Sequence, residues 1–350
     1  MTESHPIDEN NLFDSSGSAT QIGWMQEEER RKYLDILGET PARLEEILAN
    51  VDPDLVRWNP SPGKWSIVEI VCHLRDMERE AYLARYTRLL AEENPTFADI
   101  DGDALALESG YSSQDVTAAF EEWKGFRQKT LALIAGATPL TEAQWNRGGI
   151  HEGLGPMTME GYLKRQAFGN DVAHVGQIRA IKERHALLQR LASAPERLAE
   201  LTRGVPDATL RRKAPNGGWS MVQNACHLRD VEQLFLSRFM KMAYQEKPQL
   251  WMMENDRVAV RRAYDRADLG GVLADFERLR SDTMALLRAL PHPVWQRTGI
   301  HPKRGEVSIH GLAILLAGHD GSHLDRIAEL SGSVDVTADP PSRYALAEAP

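Results

Sequence analysis

Two stretches of this chain repeat each other at a fixed distance. Residues 65–80 read WSIVEIVCHLRDMERE, and residues 219–234 read WSMVQNACHLRDVEQL. Trp65/Trp219, Ser66/Ser220, Cys72/Cys226, His73/His227, Arg75/Arg229, Asp76/Asp230 and Glu78/Glu232 all keep an offset of 154 positions. A second echo sets Trp145-x-x-Gly-Gly-Ile-His151 against Trp295-x-x-Thr-Gly-Ile-His301. A third sets Gly169-Asn-Asp-x-x-His174 against Gly318-His-Asp-x-x-His323. A period this long is a duplicated domain, since solenoid units repeat every ~20–50 residues. The duplication supplies an internal comparison. Polar positions where the copies differ are where chemistry was kept in one and lost in the other.

Each copy has the size of a self-standing domain with its own core. The formal charge is −10 with no Lys/Arg cluster set against it. That argues against a nucleic-acid-binding face and against adhesion to anionic lipid. No apolar run reaches the ~20 residues needed to span a bilayer. The polar start MTESHPIDENN has no signal-peptide pattern. Two cysteines, at equivalent positions in separate copies, argue against a disulfide framework and fit a reducing, cytoplasmic setting.

The pattern along the chain is helical. Residues 1–22 and 334–350 read as disordered tails. Thr40-Pro41 and Ser193-Ala-Pro195 read as helix starts, with proline at the first helical position. Ser66 and Ser220 read as caps of the helices that carry the HLRD motif, running to about Glu92 and Gln245. Irregular stretches follow at Glu93–Gly110 and Lys247–Asp268. Third helices are expected at about 113–135 and 268–289. Short loops through His151 and His301 lead to fourth helices at about 158–184 and 307–331. Strand alternation is absent. The fold class expected is therefore all-α: two tandem four-helix bundles, residues 23–184 and 185–333, each with one long crossover, paired about a pseudo-twofold.

His319 and His323 are spaced i, i+4, so a helix presents them on one face. His227 lies on another helix among apolar neighbours. Three imidazoles from two facing helices, with room for a further ligand, make the pattern of a catalytic zinc site. In the first copy the matching positions are His73, Asn170 and His174. Asparagine is a poor zinc ligand, so that site is expected to be the weaker one.

The motif W-S-x-x-x-x-x-x-H-L-x-D-x-E followed by a distant H-x-x-x-H resembles the DinB superfamily (DinB/YfiT-like helical bundles), in tandem from about Glu27 to Ser333. The resemblance implies a divalent metal held by His227, His319 and His323. Zinc is favoured, with nickel, iron and manganese as the other candidates. It further implies transfer of a low-molecular-weight thiol to a small electrophilic substrate. The alternatives are a metal-dependent hydrolase and a non-catalytic metal- or ligand-binding protein. Gln177 keeps the family's residue after the last histidine, whereas the second copy has Arg326.

Three further residues are candidates for chemistry. Asp230 is placed to accept a ligand histidine's second N–H. His301 is a general acid/base candidate near the presumed mouth. Arg326 is placed to meet an anionic group. Glu78 and Glu232 are expected to pair with Arg75 or Arg229. Cys72 and Cys226, rotated about 100° from the histidines, are expected to be small core residues. The protein is expected to act on a small molecule as a monomer or weak homo-oligomer, its two copies paired within the chain.

Overall fold

The structure, a computed structural model, describes residues 25–49, 51–215 and 217–332. The two expected tails lie outside them. Each copy is a bundle of four long helical elements with a small β-hairpin at one end. In the first copy these are α1 (Glu27–Leu48), the short α2 (Pro53–Arg57), then α3 (Ile67–Asp76), which continues through a π-helical stretch, Met77–Leu83, into α4 (Ala84–Ala91). The crossover holds β1 (Thr96–Phe97), α5 (Gly102–Glu108) and a 3-10 turn at Tyr111–Ser113. Next come α6 (Val116–Ile134), α7 (Glu142–Trp145), β2 (Gly148–His151) and β3 (Gly155–Thr158). The fourth element is α8 (Met159–Lys164), a second π stretch, Arg165–Val172, and α9 (Ala173–Thr202).

The second copy begins inside α9. It continues through α10 (Asp207–Leu210), α11 (Met221–Tyr244), α12 (Asn255–Arg261), a 3-10 turn at Tyr264–Arg266, and α13 (Leu269–Ala289). A 3-10 turn at His292–Gln296, the hairpin β4 (Thr298–His301)–β5 (Gly305–Ser308) and α14 (Ile309–Ser331) complete it. Helices α9, α11, α13 and α14 pack on one another around Leu191, Phe239, Leu312 and Leu316, all fully buried. Among the described residues, no helix is long and apolar enough to cross a membrane.

The expected caps form. Ser66 and Glu69 close a reciprocal capping box, as do Ser220 and Gln223. The expected starts at Pro41 and Pro195 do not. Pro41 lies inside α1 and Pro195 inside α9. A proline there removes one N–H and leaves the carbonyl four residues back without its helical donor. Those carbonyls are Leu37 and Leu191. In each copy a buried arginine from the third bundle helix donates to the orphan: Arg127 Nη1 to Leu37 O at 3.0 Å, and Arg280 Nη1 to Leu191 O at 2.5 Å. The same guanidiniums bind Glu78 and Asp171 in the first copy, and Glu232 and Asp320 in the second. The two glutamates therefore pair with these arginines, not with Arg75 or Arg229. Tertiary contact overrides a local stop signal, and α9 runs unbroken across the boundary expected at 184/185.

The loops expected at His151 and His301 are hairpins, β2 with β3 and β4 with β5, both antiparallel. Gly155 and Gly305 turn them at φ of 74° and 72°. At Gly149 a Cβ would lie 2.4 Å from Pro95 O, which explains the glycine. The two π stretches belong to the first copy; α11 and α14 are continuous α-helices. Glu78 and Glu232 are 154 positions apart, but Arg85 and Arg238 are 153 apart, and these arginines donate to the equivalent carbonyls Ala98 O and Trp251 O. Thr158 and Ser308 are 150 apart, but Asp171 and Asp320 are 149 apart. Each π stretch thus absorbs one extra residue without changing what the helix faces.

Candidate metal centre

The Ser220 cap fixes where α11 starts, and the phase of that helix turns His227 into the bundle. His227 is 2% exposed. One turn apart on α14, His319 and His323 meet it. Ring centroids are 5.0 Å apart for His227–His319, 4.7 Å for His227–His323 and 4.5 Å for His319–His323. One nitrogen from each ring lies within 4.8 Å of the others, and His227 Nε2 is 3.0 Å from His319 Nε2. Trp219 lies across the cluster, its ring 4.9 Å from that of His227 and stacked at 6.5 Å on that of His323.

Burial keeps His227 and His323 neutral. Burial, and then the neighbouring imidazoles, push His227 down to about 2. Burial and His319 push His323 down to about 3. Neutral imidazoles offer lone pairs, the form a metal takes. For His323 the tautomer is fixed. Asn224 Nδ2 donates to Ser220 O at 2.9 Å and Trp219 O at 3.3 Å, which turns Oδ1 toward His323 Nδ1 at 2.8 Å. Nδ1 must therefore donate, leaving the Nε2 lone pair toward the cluster. His319 Nδ1 and Asp320 Oδ1 face each other at 3.9 Å, both buried and both without a hydrogen bond. These orphaned atoms and the all-imidazole donor set fit a divalent ion with three nitrogen ligands.

Asn224 escaped the reading of the sequence, although the signal was there. Its counterpart in the first copy is Ile70, an apolar residue beside the altered triad. Substituting Asn224→Leu is expected to weaken metal affinity by about 10–100-fold, the usual cost of losing a ligand's orienting partner. Competition with a chelator measures it, and unchanged affinity would refute the assignment.

The other candidates are placed elsewhere. Asp230 is held by Arg229 Nε at 2.8 Å, Arg262 Nη1 at 2.5 Å and Tyr264 Oη at 2.6 Å, so it shapes α11 against the crossover instead of orienting a ligand. Asp76 repeats this with Arg75 and Tyr111. His301 sits in β4, its Nδ1 accepting from Lys303 N at 3.2 Å. Its hairpin leads into the start of α14, about 15 Å of helix from His319. It is not at the mouth of the cluster. Arg326 is half exposed on α14, one turn beyond His323, and its Nε lies 3.5 Å from Glu329. Cys226 is fully buried, and burial pushes its thiol up to about 11.

In the first copy His73 and His174 approach with ring centroids 4.9 Å apart. Asn170 is 3% exposed and gives its Nδ2 to Asp171 Oδ1 at 3.3 Å. With Ile70 unable to accept, His174 Nδ1 pairs with Gln177 Oε1 at 2.9 Å. Among the described residues, the C-terminal trio is the group of three metal-binding side chains that converges.

Comparison with known proteins follows these halves. The sequence model of the DinB superfamily matches twice, over residues 36–178 and 190–327. The chain is 27% identical over 145 residues to a Bacillus subtilis (strain 168) protein named "Putative metal-dependent hydrolase YfiT", covering 41% of this chain and 82% of that protein. A solved structure of YfiT from Bacillus subtilis, described as a probable metal-dependent hydrolase with an unusual four-helix bundle topology, aligns at 22% identity. It covers 47% of this chain and 92% of that one, with a TM-score of 0.44.

Proposed function

The chain belongs to the DinB superfamily, and on that premise we propose that it is a divalent-metal-dependent enzyme whose working site is the C-terminal trio His227, His319 and His323, and which transfers a low-molecular-weight thiol to a small electrophilic substrate. The observation that carries this reading is the convergence of three imidazoles, His227 buried and His319 and His323 half-buried, with no fourth metal-binding side chain among the described residues. A divalent ion held there, with zinc favoured by the nitrogen donors, supplies Lewis acidity that lowers the pKa of a small nucleophile and polarises an electrophile. Asn224 keeps His323 in the required tautomer, and Trp219 shields one side of the rings from water. Asp320, fixed by Arg280, stands ready to accept from His319 Nδ1.

The nucleophile comes from outside the chain. Cys226 is buried and held protonated, so it does not serve. Hydrolysis would be helped by a free base, but Asp230 is turned away to Arg229 and Arg262, and Asp320 gives one oxygen to Arg280 and faces His319 with the other. A thiol, with an ordinary pKa near ~8.5, needs far less help than water. This supports thiol transfer. The name of the YfiT relative favours a second reading, hydrolysis at the same trio.

Metal analysis of the purified chain, with a screen of small thiols against electrophiles, tests the proposal. About one ion per chain is expected, held by the second copy, with turnover that requires added thiol. Turnover without thiol would move the assignment to hydrolysis, and absence of bound metal after supplementation would end both readings. In the same assay Cys226→Ala should keep the rate within about twofold, because a buried, protonated thiol is a poor nucleophile.

A further inference from the structure

Among the described residues, a buried arginine at the junction of the two copies has no carboxylate partner. Arg184 of α9 is 6% exposed and packs its guanidinium 4.6 Å from the ring of Trp295. Its hydrogen-bond partners are weak and uncharged: Pro60 O at 3.5 Å and His292 Nδ1 at 3.4 Å. Burial alone pulls it below its ordinary value, with no acidic group offsetting the loss.

The first copy shows what this position otherwise holds. Arg30, the counterpart 154 positions earlier, stacks on Trp145 at 5.0 Å, as Arg184 does on Trp295. There both terminal nitrogens of the guanidinium, Nη1 and Nη2, grip Glu142 at 2.9 Å, and Nε binds Glu160 at 3.1 Å. Glu142 and Glu160 correspond, at the hairpin's offset of 150, to His292 and His310. The second copy has thus kept the arginine and the tryptophan and replaced both acids by imidazoles. Trp295 Nε1 and His310 Nδ1 nearby, and Ser61 Oγ next in the chain to Pro60, are buried without hydrogen-bond partners among the described residues. His292 is exposed and gives access from solvent.

A buried cation seeks an anion, and bidentate pairing to a planar or tetrahedral oxyanion suits a guanidinium best. We propose that Arg184, His292, His310, Trp295 and Ser61 form a binding site for a small oxyanion, a carboxylate or phosphate group, which occupies the place of the glutamate pair of the first copy. The site joins the α2–α3 loop of the first copy to α9 and the hairpin region of the second, so its occupant fastens the two halves together. It is separate from the histidine trio. His310 and His319 are nine residues apart on α14, about 14 Å along the helix.

The test titrates the full chain with inorganic phosphate and, separately, acetate, at constant ionic strength against chloride, following heat of binding and Tm. Saturable binding with a rise in Tm is expected for at least one, and the tighter of the two identifies the group. Arg184→Met should weaken it by at least about tenfold. The double variant His292→Glu/His310→Glu restores the carboxylates of the first copy. It should raise Tm without added anion and abolish the response. In His323→Ala the response should survive, which separates this site from anions landing on the trio. Absence of saturable binding of either anion to the wild type, or a response that persists in the double variant, would overturn the proposal.

Discussion

Replacing His323 by Ala is expected to take metal content from about one ion per chain to less than about a tenth, because two remaining imidazoles hold a divalent ion poorly. Turnover should fall to background in parallel. The bundle should stay folded, since its core is the apolar packing of α9, α11, α13 and α14 around Leu191, Phe239 and Leu316. Metal analysis, activity and far-ultraviolet circular dichroism on one preparation separate the outcomes. Loss of metal with the fold retained fits a catalytic ion. Loss of the fold with the metal would make the ion structural. Full activity in His323→Ala together with none in Cys226→Ala would make this a cysteine enzyme and end the proposal.

Arg280→Met should be among the most damaging single substitutions outside the trio. The guanidinium is 2% exposed and carries Glu232 Oε2 at 2.5 Å, Asp320 Oδ2 at 2.7 Å and Leu191 O at 2.5 Å. Methionine fills similar space but strands two buried carboxylates and a carbonyl that Pro195 has already deprived of its helical donor. Removing one partner of a buried charged group costs about 3–5 kcal/mol. Urea unfolding should register a loss of that order, and Arg127→Met should behave alike in the first copy. A loss below about 1 kcal/mol would place the network among ordinary surface ion pairs. Because Asp320 stands beside His319, weakened metal affinity is expected as a secondary effect.

Much of this site was legible because the chain supplies its own comparison. Three histidines in one copy against two histidines and an amide in the other located the trio. The capping serines and apolar periods located the helices around it. What stayed hidden depends on contacts distant in sequence. Pro41 and Pro195 read as helix starts because nothing nearby shows that Arg127 and Arg280 will replace the missing donors. The hairpins at His151 and His301 have strands of four residues, too short to show alternation. Asp230 is adjacent to the histidine in sequence but is claimed in space by Tyr264 and Arg262, from the crossover region. Asn224 was visible as a polar residue set against Ile70, and the π turns as one-residue changes in the offset between the copies.

Helix α9 leaves this protein without a linker. Its 30 residues span about 45 Å and serve as the last helix of one bundle and the first of the next. The fusion is therefore a matter of phase. One residue added near Leu187 would turn everything downstream by about 100° and advance it by about 1.5 Å. Leu191 would swing away from Arg280, or the second bundle would leave Pro60 and Trp58. Adding about seven residues nearly restores the rotation but moves the halves apart by about 10 Å, out of reach of Arg184. Length variation among descendants of such a fusion should accumulate in the crossovers and hairpins, while the spacing from His174 to Pro195 stays fixed to the residue.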